Sequence, residues 1–167
     1  FILRVNPSPE NCKQNFLIKH SMRSTVLAIA IAQHLKMSIS KMVELGVSSI
    51  LHEIGMLRLP PQIYMTNKPL SPSEKNQIKR HPLLGYSILK DLAFPVAVQL
   101  GALEHHETVN GEGYPRRLSD TISQNAKIAT VYPFGLISMP PYFQLRFITA
   151  PRKSRTTLLY IKSLREP

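Results

Sequence analysis

Apolar residues in this chain recur at steps of three and four, and no segment alternates apolar with polar residues over a strand's length. A face that repeats every 3.6 residues can be buried by a helix and not by an extended strand, so the periodicity predicts an all-α fold, a compact helical bundle. Over 14–36, Phe16, Leu17, His20, Leu27, Ile31 and Leu35 fall on one face of an amphipathic helix. In the next segment, MSISKMVELGVSSILHEIG, Ser40 is the expected N-cap. Leu45, Val47, Ile50 and Leu51 form its buried face, and Gly55 is the stop.

MLRLPPQIYMTNKPL reads as a proline-marked loop. It leads into LSPSE, where Ser71 caps, Pro72 takes the first helical position and Glu74 completes a capping box. Further helices are expected at 82–92, 95–106 and 122–131, after which Pro133, Pro140 and Pro141 prevent a long helix. The 167 residues suit one domain, and no run of about 20 apolar residues exists to span a membrane. The lone Cys12 excludes an internal disulfide and fits a reducing cytoplasm. The start, FILRVNPSPE, has neither an initiator Met nor a signal-peptide layout, so the chain reads as part of a longer multidomain protein with a regulatory domain elsewhere. The net charge of +11 favours phosphate-bearing ligands. It is scattered, with few interleaved aromatics, which argues against sequence-specific nucleic-acid binding.

Of six histidines, five carry the chemistry. Singly each has a plain reading: His20 as packed core, His81 before Pro82 as a turn residue, His105-His106 as a pair at a helix end. His34 belongs to no motif and is expected at the surface. As a set, His20, His52-Glu53, His81 and His105-His106 spread over four helices or helix edges, each where a bundle interior can receive it. Helical bundles build metal centres in this way. Five imidazoles and one carboxylate exceed the needs of one cation and suit two.

His20-Ser21, ILHEIGMLRLP, KPLSPSEKNQIKRHPLLGYSIL and HHETVNGEGYP together resemble the HD-GYP branch of the HD-domain phosphohydrolases, in order and spacing, over about 16–131. The resemblance implies a helical, cytoplasmic domain over 1–142 that binds metal, iron or manganese, and hydrolyses cyclic di-GMP. The basic tail 143–167, with its apolar Leu158, Leu159, Tyr160 and Ile161, lies outside the likeness. Carried over, His20 and His52 bind one metal, His81, His105 and His106 the other, and Glu53 bridges both as the catalytic carboxylate. Gly111, Gly113, Tyr114 and Pro115 shape the substrate pocket, and Glu107 orients a neighbour.

The departures from the family pattern are specific. Glu53 replaces the bridging Asp, a reach longer by about 1.5 Å. Met56 stands where the family has a lysine that binds or polarises phosphate, and Phe16 where trinuclear members have Glu. After Val131 comes Tyr132 in place of an aspartate ligand. FGLISMPPY (134–142) has Gly135 and Pro140 where an acid and an arginine are expected. Two divalent ions at most, or one alone, follow from this. Two functional readings result: a cyclic di-GMP phosphodiesterase with an impaired two-metal site, or an inactive domain. The second would serve as a receptor for a cyclic dinucleotide or dock a protein partner through the GYP loop.

Overall fold

The computed structural model describes residues 9–65, 68–119 and 121–135, with 9–16 and 130–135 described as backbone only. The elements are α1 (Pro9–His34), α2 (Ile39–Leu51), a 3₁₀ turn (Ile54–Arg58), α3 (Pro61–Tyr64), α4 (Pro72–Ile78), α5 (His81–Asp91), α6 (Val96–Glu104) and α7 (Gln124–Gly135). No strand occurs among the described residues, in agreement with the all-α expectation. α2 lies between α1 and α6, α5 packs on α6 and on the 3₁₀ turn, and α7 closes against α1, α2 and α6.

Several boundaries differ from expectation for identifiable reasons. Ser38, not Ser40, caps α2: its backbone is extended and its hydroxyl accepts from Lys41 N at 3.4 Å, which leaves Ser40 inside the first turn. α2 ends at Leu51, before Gly55. Gly55 serves packing instead, because a Cβ there would stand 1.9 Å from the carbonyl oxygen of His81 and 2.5 Å from Gly85 N. The 3₁₀ turn therefore lies backbone to backbone on α5. Part of the proline-marked loop is helical, as α3. α7 continues through Pro133 to Gly135, four residues past the expected end at 131. The remainder of FGLISMPPY and the 143–167 tail lie outside the described residues.

Two helices end in Schellman motifs built without glycine. At the end of α1, Lys36 takes φ 54°, with Met37 N bonded to Ala32 O and Lys36 N to Gln33 O, both at 3.0 Å. At the end of α5, Ala93 takes φ 55°, with Phe94 N bonded to Leu89 O and Ala93 N to Lys90 O, again at 3.0 Å. Each left-handed residue costs about 1 kcal/mol. Burial of the following side chain offsets that cost: Met37 packs on Ala28, Ala32, Leu45 and Ile128, and Phe94 on Leu89, Val98 and Ala102. The capping box of α4 forms as expected, with Ser71 N donating to Glu74 Oε2 at 2.7 Å and Glu74 N to Ser71 Oγ at 3.2 Å.

The buried stripe of α1 is not the bulky one. His20, Ser21, Ser24, Ala28 and Ala32 are buried, while Leu17, Leu27, Ile31 and Leu35 are half-buried. On α2, Leu45, Ser48 and Ser49 are buried, and Ile50, expected inside, is exposed. Small side chains let the helix axes approach closely. Gly101 of α6 continues the theme, since a Cβ there would stand 1.8 Å from Ser48 Oγ. Short spacing between axes is what lets side chains from α1, α2 and α6 meet in one place.

Gly55→Ala is expected to destabilise the fold by about 1–3 kcal/mol through forced separation of the 3₁₀ turn from α5. Ser71→Ala should cost about 1 kcal/mol, a cap's worth. Urea denaturation midpoints check both, and an unshifted Gly55→Ala midpoint would contradict the close approach.

Candidate metal centre

The last carbonyls of a helix have no partner within it. Three histidines in this chain use such carbonyls. His52, the C-cap of α2, sends Nδ1 to Ser49 O at 2.7 Å. His81, at the α4–α5 corner, sends Nδ1 to Ile78 O at 2.7 Å. His105, the C-cap of α6, sends Nδ1 to Ala102 O at 2.9 Å. A carbonyl only accepts, so Nδ1 carries a hydrogen in each ring, and in the neutral form of such a ring Nε2 is a bare lone pair. A bond from the distal ring nitrogen to a carbonyl is also how metal-ligating histidines are commonly oriented.

Those lone pairs converge. His81 Nε2 and His105 Nε2 are 3.0 Å apart, as are His20 Nε2 and His52 Nε2. The carboxylate of Glu53 lies between the pairs, with Oε1 3.5 Å from His20 Nε2 and 3.7 Å from His52 Nε2, and Oε2 3.3 Å from His81 Nε2. The His106 ring is 4.2 Å from that of His105 and 5.0 Å from that of His81. Two groups of donors result: Glu53, His81, His105 and His106, and His20, His52 and Glu53, each with ligand atoms within 4.8 Å of one another. All the histidines singled out from the sequence as a set are brought together, and His34 is exposed.

The donor set fits divalent cations. Glu53 Oε2 and His106 Nε2 are buried without a hydrogen-bond partner, and the His81–His105 contact sets two acceptors face to face. Such an arrangement is repulsive unless a proton or a cation lies between. With metal–nitrogen bonds of about 2.0–2.1 Å, two imidazoles at right angles on one ion stand about 3 Å apart. The longer Glu53 reaches both groups from a residue that has already left α2, at φ −94° and ψ 7°.

Electrostatics agree with a site made for positive charge. Burial pulls the His52 pKa down to about 4 against the opposing pull of Glu53. Burial, then the neighbouring imidazoles, hold His105 and His106 well below the ordinary histidine value. Burial alone would raise Glu53. The surrounding histidines, His81 foremost, outweigh it and hold the carboxyl well below its usual range.

The GYP turn is fastened to this cluster by carboxylates. Glu107, fully buried, accepts from Arg116 N at 2.6 Å and Leu118 N at 2.9 Å. It thus orders the loop rather than joining either donor group. Gly113 folds back so closely that a Cβ would stand 2.5 Å from Glu107 Cα, and Gly111 turns the chain at φ 72°. Tyr114 then stacks on His106, ring centroids 4.6 Å apart. Pro115 follows, half-buried. Sequence reasoning missed Glu104: its buried carboxylate takes Arg116 Nη1 at 3.2 Å and Ser123 N at 2.8 Å, tying loop and α7 to α6. Its position three residues before Glu107, in LEHHE, was the available signal. Met56 is fully buried, and the side chains of Phe16 and Tyr132 lie outside those described.

The pH dependence of the metal-free protein follows from which state binds protons. Below about pH 6.5 unfolded imidazoles protonate, while His52, held near 4, stays neutral in the fold. Glu53, lowered on folding, contributes with the same sign at lower pH. Stability is therefore fully present above about pH 6.5 and declines as pH falls toward 4. Thermal midpoints of chelator-treated protein should decrease monotonically across that window; a flat profile would contradict the burial of these rings.

Comparison with known proteins gives the family. The HD domain family model matches residues 11–141. A cyclic di-GMP phosphodiesterase, PdeB, of Borreliella burgdorferi is 32% identical over 68% of this chain and 30% of its own length. A cyclic di-GMP phosphodiesterase of Thermotoga maritima is 35% identical over 61% of this chain and 28% of its own. A 3'3'-cGAMP-specific phosphodiesterase of Vibrio cholerae is 29% identical over 79% of this chain and 31% of its own. The chain thus spans under a third of the length of these relatives. No described helix is long and apolar enough to cross a membrane. With its histidines clustered, its GYP turn stacked on them and the family match covering most of its length, the chain belongs to the HD-domain family, in the HD-GYP branch.

Proposed function

We propose that this domain is a metal-dependent phosphodiesterase acting on cyclic di-GMP or a closely related cyclic dinucleotide, with iron or manganese as cofactor. The observation that carries the reading is a single carboxylate, Glu53, shared between two groups of imidazole donors. His81, His105, His106 and Glu53 hold one cation, and His20, His52 and Glu53 hold the other. Nitrogen and oxygen donors without thiolate suit iron and manganese. When bound, such a pair of cations supplies the Lewis acidity that activates water and stabilises the leaving oxygen of a phosphodiester. The protein's part is placement. Glu53 fixes the spacing of the two positions, and the helix-end carbonyls fix the planes of the His52, His81 and His105 rings. Gly111, Gly113, Tyr114 and Pro115 wall the substrate side, with Tyr114 holding His106.

The unequal donor groups favour a second reading. One group has four donors and the other three among the described residues. A domain that keeps only the four-donor position would bind a cyclic dinucleotide without hydrolysing it, or present the GYP loop to a protein partner.

Incubation of anaerobically reconstituted iron or manganese protein with cyclic di-GMP is expected to release the linear dinucleotide. No product above background, with tight calorimetric binding, would establish the receptor reading instead. Metal content separates them independently: two ions per chain for the hydrolase, one for the receptor. Glu53→Ala and His105→Ala should each lower metal affinity by more than about 100-fold, the upper range for losing a mere supporting partner. Unchanged metal content in His105→Ala would refute the assignment.

A further inference from the structure

The Tyr114 ring has two neighbours, an imidazole and an ammonium. His106 stacks on it, at 4.6 Å between centroids and 18° between planes. The Lys79 ammonium also lies over the ring, its Nζ 6.0 Å from the ring centroid, at the outer limit of a cation–π contact of about 6 Å. Tyr114 thus joins a cation to the His106 side of the metal cluster.

Lys79 is well placed for that task. It is the C-cap of α4, with its N–H bonded to Lys75 O at 3.1 Å, so the capped helix positions its backbone. His81, two residues on, is tied to Ile78 O at 2.7 Å, so the same corner presents both a cluster imidazole and this ammonium. Lys79 is half-buried and has no carboxylate partner among the described residues. Of the two arginines that follow Tyr114 along the chain, Arg116 is committed to Glu104 at 3.2 Å and Arg117 is exposed. Met56 is apolar and fully buried, so that position offers no charge to a phosphate.

A cyclic dinucleotide carries two phosphodiester anions. Only one can occupy the metal cluster, and the other lies a nucleotide away and needs its own counter-charge. We propose that Lys79, held over Tyr114, binds this second phosphodiester and so makes the site selective for cyclic dinucleotides over simple diesters. This inference rests on the hydrolase reading above. A compact ammonium on a flexible stem suits a lone phosphate contact at the rim of a pocket.

The test compares wild type, Lys79→Met and Lys79→Arg, as manganese-loaded full chain, on cyclic di-GMP and on bis(4-nitrophenyl) phosphate, which has a single diester. Lys79→Met should raise KM for cyclic di-GMP about tenfold, equivalent to about 1.4 kcal/mol. Its kcat should stay within about twofold and its metal content unchanged, since only uniform binding is lost. KM for bis(4-nitrophenyl) phosphate should not move, and Lys79→Arg should recover most of the loss. An equal KM rise on both probes would place Lys79 at the reacting phosphate and overturn the proposal. An unchanged or lowered KM for cyclic di-GMP would also overturn it, the lowered value indicating that removal of Lys79 frees Tyr114 as a base platform. If wild type cleaves bis(4-nitrophenyl) phosphate but neither binds nor cleaves cyclic di-GMP, the substrate assignment falls and this proposal with it. If wild type cleaves neither compound, the hydrolase reading alone fails. Calorimetric binding of cyclic di-GMP then decides about Lys79, by the same tenfold loss or its absence.

Discussion

The centre depends on a pairing between helix ends and histidine Nδ1 atoms. A helix leaves its last carbonyls without partners, and an imidazole just beyond can take one of them. That bond sets the tautomer and the ring plane together, and at His52, His81 and His105 it leaves Nε2 facing inward. The arrangement needs no dedicated scaffold beyond helices that stop in the right places. It does burden the fold: a buried polar atom without a partner costs about 1–3 kcal/mol, and Glu53 Oε2 and His106 Nε2 are both in that condition. Cation binding is the natural compensation, because whatever binds only the native state adds its binding energy to folding.

Convergence also requires short distances between backbones. An imidazole is a short lever, so donors from α1, α2, α6 and the α4–α5 corner can meet only where helices pack tightly. The Ser24–Ala28–Ala32 stripe of α1, Gly55 under His81 and Gly101 against Ser48 meet this need. Gly113 does the same for the loop, bringing Tyr114 onto His106. In each case the small residue is explained by what approaches it.

The same geometry makes the site asymmetric. The side fed by His81, His105 and His106 is braced by α5, α6 and the carboxylate-pinned GYP loop. The side fed by His20 and His52 has one donor fewer among the described residues. Glu53, longer than the family's aspartate, reaches across from a backbone position already outside α2. The extra methylene is therefore accommodated at the end of a helix rather than within one.

What the sequence determined alone was local chemistry. The helical period, the Ser71–Pro72–Glu74 box and the histidine inventory each rest on neighbours a few residues apart, and such signals survive without knowledge of the fold. The family motifs added the pairing of His20 with His52 and of His81 with His105-His106. Tertiary structure decided the rest. It showed that α1 buries serine and alanine rather than its leucines, because helix spacing selects small side chains there. It turned Gly55 from a helix stop into a contact surface, and made Glu104 and Glu107 clamps on the loop. It also set Lys79 over Tyr114, across 35 positions of chain. None of these contacts leaves a periodic trace, since each is made between segments whose separation in sequence has no relation to their distance in space.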